Sequence, residues 1–204
     1  MKIGPKYKIA KRLGASVFEK TQTQKFAIAE ERAARNKKGR RGNQTEYSKQ
    51  LLEKQKVRMT YGLSERQFSN YVETAVHTHG QVPTETLHKL LEMRLDNVLY
   101  RLGLAPTRRA ARQMASHGHI TVNGVKTTIP SRAMKIGDKI AVRDGSKSAV
   151  LFENFEEKFR ERPTLASWLT WDAKKMEGGL QELPTAESAS PAGDLVMVLS
   201  FYSR

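Results

Sequence analysis

From residue 46 onward, apolar positions recur at helical spacing. Tyr47, Leu51, Val57 and Tyr61 share one face, with Lys49 and Lys56 opposite. Gly62 is a natural stop. Ser64 with Gln67 three residues on predicts a capping box for the next helix. There Phe68, Tyr71, Val72 and Ala75 form the core stripe, and Gly80 closes it. Pro83 and Thr84 open a third helix, predicted to run to about residue 102. In it Leu91, Leu95, Val98, Leu99 and Leu102 make a continuous apolar stripe, and Arg94, Asn97 and Arg101 a polar ridge beside it. The aromatic residues of these helices read as core rather than as platforms for stacked bases.

Gly103 ends that helix, and Thr107 is an N-cap candidate for another, terminated by Gly118. Ala110, Ala111, Met114 and Ala115 allow it to pack closely. The period then changes from helical to alternating. Ile120 and Val122 precede Asn123-Gly124, a strong hairpin signal, and residues 125–127 return as a second strand. A turn at Gly137-Asp138 leads to a third strand with Ile140 and Val142 inward. Two short helices on a small sheet are the expected result. Residues 147–162 predict an acidic amphipathic helix with Leu151, Phe155 and Phe159 on one side. Trp168 and Trp171 read as core anchors, residues 183–193 as an exposed loop, and residues 195–199 as a buried terminal strand. The fold class is α+β. The expected domains are a basic arm and helical domain over 1–91, joined by 163–204, and a module over 92–155. Residues 156–204 supply a C-terminal helix, loop and strand packed on the first domain.

Composition turns this outline toward an anionic partner. The chain has 204 residues, a formal net charge of +15, a pI near 10.1 and no cysteine. The absence of cysteine rules out disulfides and thiolate metal sites and fits a reducing compartment. No stretch has the roughly 20 consecutive apolar residues of a membrane-spanning helix. The basic start lacks the apolar segment of a secretory signal. Residues 1–80 carry 18 Lys/Arg against 7 Asp/Glu, and residues 81–145 carry 11 against 5; residues 146–204 reverse the balance, with 7 against 9. The anion-binding surface is therefore expected in the first two thirds of the chain.

Within that region, residues 1–43 are rich in Lys, Arg and Gly, with little apolar periodicity before Phe26. Such a segment reads either as a solvated tail or as an arm that orders against phosphates. Arg108, Arg109 and Arg112 cluster over the start of their helix with no acidic partner in the same helix. Free backbone N–H groups and the positive end of the helix dipole lie beside them, an arrangement suited to phosphate. His77-Thr-His79 and His117-Gly-His119 offer a metal alternative, but an i, i+2 pair on a helix does not converge on one ion, and no third ligand stands at the right spacing.

The stretches Arg94-Leu-Asp-Asn-Val-Leu-Tyr-Arg-Leu-Gly103, Thr107-Arg-Arg-Ala-Ala-Arg112 and His117-Gly-His-Ile-Thr-Val-Asn-Gly124 resemble the RNA-binding module named after small-subunit ribosomal protein S-four. Pseudouridine synthases, tyrosyl-tRNA synthetases and ribosome-rescue factors also carry that module. Two flanking segments narrow the resemblance to the S-four family itself. These are Leu51-Leu-Glu-Lys-Gln-Lys-Val-Arg58 with Tyr61-Gly-Leu-Ser-Glu-Arg-Gln-Phe68, and Trp168-Leu-Thr-Trp-Asp172 with Lys175-Met-Glu-Gly178. The likeness covers nearly the whole chain. It departs in two places. The Cys-rich zinc knot of many members is impossible here, and their Pro-Gly-x-His-Gly appears only as Gly39-Arg-Arg-Gly-Asn43.

The resemblance implies a structural constituent of the small ribosomal subunit, with no enzymatic activity, cofactor or metal. It would bind small-subunit ribosomal RNA early, at a helix junction of the 5′ domain, and nucleate assembly. Ribosomal protein S-five would be its neighbour at an interface tied to decoding accuracy, and messenger RNA would pass nearby. Its place would be a cytoplasmic ribosome, with an organellar one as the alternative. The expected RNA contacts in the module are Arg94, Arg101, Arg108, Arg109, Arg112, Asn123 and Lys126. In the first domain they are Lys2, Lys6, Lys8, Arg12, Arg40, Arg41, Lys49, Lys56, Arg58 and Arg66. Asp96 is expected to orient a neighbouring basic side chain. The alternatives are a free translational repressor and an RNA-modifying enzyme carrying the same module. The second needs a catalytic domain that the roughly sixty residues after the module cannot supply.

Overall fold

The computed structural model describes residues 3–36, 45–153, 157, 159 and 165–203; Lys2, Arg40, Arg41 and Phe155 lie outside these. The chain divides into two units, Met1–Leu87 with Pro191–Arg204, and His88–Ser190.

In the first unit, helices α1 (Lys6–Leu13) and α2 (Gln24–Asn36) are joined by two 3-10 turns. Part of the arm is thus folded, despite its weak periodicity. Ala10, Leu13, Val17, Phe18 and Phe26 form a small core, against which Leu52 and Met59 pack. Both of those residues belong to α3 (Glu46–Thr60). Gly62, at φ 64°, reverses the chain after α3, and Leu63 N–H bonds to the Arg58 carbonyl at 3.0 Å. α4 (Glu65–His77) starts at Ser64, whose hydroxyl accepts from Gln67 N–H at 3.3 Å, the expected cap. The run at 195–199 is not a strand. It opens helix α9 (Leu195–Tyr202), capped by Asp194, which accepts from Met197 N–H at 3.0 Å. α9 lies along α3, with the Phe201 and Tyr47 rings 5.6 Å apart.

The helix expected to run through residue 102 is two helices, α5 (Pro83–Glu92) and α6 (Leu95–Arg101). Arg94 takes extended geometry between them and bridges Ala133. Leu95 and Asp96 N–H groups bond to the carbonyls of Arg132 and Pro130, and Met134 N–H to that of Met93. The backbone at 130–134 thus takes over the partners a continuous helix would use.

α7 (Arg108–Ser116) then leads into β1 (Ile120–Val122) and β2 (Val125–Lys126). Asn123 and Gly124, at φ 53° and 78°, form their turn, as both central residues of a type I′ hairpin require. The sheet is larger than three strands. β3 (Lys139–Val142), β4 (Leu169–Asp172) and β5 (Glu177–Leu180) complete an antiparallel sheet in the order β2-β1-β3-β5-β4. Residues 169–180, expected on the first domain, therefore belong to the second unit. Gly178 and Gly179 allow this pairing. A Cβ at 178 would collide with the Thr170 carbonyl, and one at 179 would lie 2.8 Å from the Asp138 carbonyl. The core beneath the sheet holds Leu95, Leu99, Met114, Ile120, Ile140 and the expected anchor Trp168. At 144–152, short α8 (Asp144–Lys147) and a 3-10 turn (Val150–Phe152) stand where the helix expected over 147–162 would begin. Glu157 and Phe159 are helical, and residues 154–156, 158 and 160–162 of that stretch lie outside the described residues. Phe152 enters the core, whereas Val150 and Leu151 are exposed.

Candidate nucleic-acid interface

The candidate surface is built on α6 and α7. Gly103, at φ 77°, ends α6, and Thr107 accepts from Ala110 N–H at 3.1 Å to start α7. α7 has no acidic residue in its first turn, so its arginines draw their partners from elsewhere. Two buried carboxylates supply them.

Asp96, on α6, accepts from Arg94 Nε and Nη2 at 3.1 and 2.9 Å, and from Arg112 Nε at 2.8 Å. Its Oδ2 lies 2.6 Å from Arg112 Nη2. The Arg94 and Asp96 side chains are each 3% exposed, whereas that of Arg112 is 30% exposed. Arg94, expected as an RNA contact, is thus buried. Its guanidinium is spent inside the fold, where it balances Asp96. Asp96 has the orienting role expected of it, toward Arg112.

Glu92, at the end of α5, is fully buried. It holds Arg101 through two bonds, Nε at 2.9 Å and Nη2 at 2.8 Å, and accepts from Asn97 Nδ2 at 2.8 Å. The other side of the Asn97 amide, Oδ1, accepts from Arg108 Nε at 2.8 Å. The Arg108 guanidinium lies 4.4 Å over the Tyr100 ring. Arg109 is exposed. Three guanidiniums thus bond two carboxylates, and with Arg108 and Arg109 the cluster of five carries an excess of three positive charges.

Lys126 is exposed, and its stem crosses Gly118 so closely that a Cβ there would strike Lys126 Cε. Asn123, also expected as an RNA contact, is exposed. Its amide donates to Asp138 and accepts from Lys139 N–H, both at 2.8 Å, which commits it to the hairpin. His119 Nδ1 is engaged by Ser146 Oγ at 3.0 Å.

In the first unit Lys8, Arg12 and Arg66 are exposed. Lys6 lies 5.7 Å from the Phe18 ring centroid, and Lys49 sits loosely, 3.9 Å from Glu46. Lys56 is 3.4 Å from Glu53, and Arg58 is 3.2 Å from Glu65. Lys54 was not among the expected residues. It is buried, 2.6 Å from Glu65, with its ammonium 4.4 Å over the Phe201 ring. Its place between Leu51 and Val57 on the apolar face was the available signal. Glu65 also accepts from the Tyr202 hydroxyl at 2.8 Å. Burial works to raise the Glu65 carboxyl, but the bonds from Lys54 and Tyr202 and the charges of Lys54 and Arg58 outweigh it and hold it below its usual range. Burial and the Glu65 contact push the Tyr202 hydroxyl well above its own.

Residues 93–140 match the family model described as the S4 domain, and residues 1–92 the one described as the ribosomal protein S4/S9 N-terminal domain. The small ribosomal subunit protein uS4 of Limosilactobacillus reuteri is 41% identical over 201 residues, covering 98% of each chain. That of Herpetosiphon aurantiacus is 42% identical over 207 residues, again covering 98% of each, and that of Roseiflexus castenholzii 41% over 203 residues. The chain belongs to the ribosomal protein S-four family. It is a structural ribosomal protein rather than an enzyme. The matched S4 domain begins at the α5–α6 break and ends within β3, so it contains Arg94, Asp96 and all of α7, while Glu92 lies just before it.

Proposed function

We propose that this chain is a constituent of the small ribosomal subunit that grips a helix junction of its ribosomal RNA, with the α6–α7 arginines clasping phosphates. A folded RNA junction crowds phosphates together at a large electrostatic cost. A fixed group of cations offsets that cost and releases counterions. Recognition is of backbone and shape, because the deep major groove of A-form RNA hides base edges. The observation that carries this reading is the excess of three positive charges at a helix start, with Arg101, Arg108 and Arg112 each tied back to a buried group. Lys126 extends the surface. Lys6, Lys8, Arg12, Lys49, Lys56, Arg58 and Arg66 are proposed as further contacts from the first unit, with Lys2, Arg40 and Arg41.

Early binding at such a junction would favour later assembly steps. The family resemblance adds S-five as a neighbour, passing messenger RNA and an influence on decoding accuracy. The direct test replaces Arg108, Arg109 and Arg112 with Gln and measures binding to a small-subunit RNA junction across salt concentrations. Affinity falls, and the salt slope drops by roughly one unit per lost phosphate contact. An unchanged slope overturns the assignment.

A further inference from the structure

We infer that Glu92, Asn97 and Tyr100 are positioning residues for RNA binding, acting through the Arg101 and Arg108 guanidiniums. None of the three is a proposed phosphate contact, and Glu92 carries the wrong charge for one. Glu92 is fully buried yet gives both carboxylate oxygens to Arg101, at 2.9 and 2.8 Å. Its Oε2 and its own carbonyl also take the Asn97 amide, at 2.8 and 2.9 Å. That grip fixes which way the amide faces, so its oxygen meets Arg108 Nε. Tyr100 supplies a flat platform under the same guanidinium. One buried carboxylate thereby orders two arginines on different helices before any ligand arrives. Arginine has many rotamers, and ordering them beforehand removes a cost otherwise met on binding.

This inference rests on the interface reading above, and it makes predictions of opposite sign to a simple charge account. Glu92→Gln adds one positive charge to the cluster. If net charge alone governed binding, affinity would rise and the salt slope would steepen. If Glu92 positions the arginines, affinity falls about tenfold and the slope becomes shallower as phosphate contacts are lost. Tyr100→Leu leaves the charge unchanged, yet weakens binding several-fold. Tyr100→Phe keeps the ring and binds as the unaltered chain does.

The experiment uses the full chain and a transcript of the small-subunit 5′-domain junction. Binding is measured over a salt series for these three variants and for the triple Arg108, Arg109 and Arg112 to Gln variant. Weaker binding by Glu92→Gln and Tyr100→Leu, with Tyr100→Phe unaffected, supports the inference. Equal or tighter binding by a folded Glu92→Gln variant overturns it, as does a loss in Tyr100→Phe equal to that in Tyr100→Leu. Tryptophan fluorescence monitors folding, and should Glu92→Gln fail to fold, the Tyr100 pair decides. No loss in the triple variant sinks the interface reading itself. A loss there, with Glu92→Gln tighter, sinks only the positioning inference.

Discussion

Replacing Asp96 with Asn separates the structural from the binding role of the arginine cluster. The Asn side chain keeps the shape but removes the charge, and points a donor group at guanidinium N–H donors. Arg94, its side chain 3% exposed, is then a buried cation whose bidentate partner is gone. Removing one member of a buried pair costs about 3–5 kcal/mol, a large part of the roughly 5–15 kcal/mol that stabilises a folded domain. Arg94→Met has a smaller effect. Methionine fills much of the space, and Asp96 keeps Arg112, so about 1 kcal/mol is expected. In the Arg94→Met background, Asp96→Asn no longer strands a buried cation. Its cost shrinks, giving a coupling of about 2–3 kcal/mol. The assay is urea unfolding followed by tryptophan fluorescence, since Trp168 and Trp171 lie in the same unit as the pair. With a urea slope of about 2 kcal/mol per molar, Asp96→Asn lowers the midpoint by about 2 M. Equal midpoints for the two single variants, or additive effects in the double, would refute the reasoning.

Lys54→Met removes a cation from between Glu65 and the Phe201 ring. Because Glu65 is half exposed and can turn to water, the loss is about 1–2 kcal/mol, read by far-UV circular dichroism. Gly118→Ala and Gly124→Ala both place a side chain at positive φ, at about 1 kcal/mol each; only the first also displaces the Lys126 stem, so only it alters the salt dependence of RNA binding. Burial holds the His88 imidazole below its ordinary value of 6.5, against the opposing charge of Glu92. On acidification the unfolded chain takes up this proton before the folded one. Stability present above about pH 6.5 is therefore lost as pH falls through the depressed value, and His88→Leu flattens that limb of the urea-midpoint profile.

Features set by a few adjacent residues were legible in the sequence. Ser64 and Thr107 cap the helices expected of them, and Asn123-Gly124 makes its turn, because each effect is complete within four residues. The α5–α6 break was not legible, since nothing at 92–95 forbids a helix. The interruption comes from backbone at 130–134, some forty residues on. The run at 195–199 illustrates a different limit. Continuous apolar residues have no period, and the choice of helix lies with the Asp194 cap and the surface of α3. In the candidate site, searching within α7 for partners of its arginines found none, because Asp96 lies sixteen residues before Arg112 and on another helix. Charge counting could not separate Arg94, which serves the interior, from Arg109, which faces water.

The first unit is assembled from both ends of the chain, with α9 packing on α3 from some 140 residues away, whereas the second is one unbroken stretch. During synthesis the amino end emerges first, and domains ordinarily fold in that order. Here the described strands and helices of the second unit are all made while the earlier one still lacks α9. Closure of the first unit therefore waits on α9, and the α3 surface it covers lacks that cover for as long as the second unit is being made.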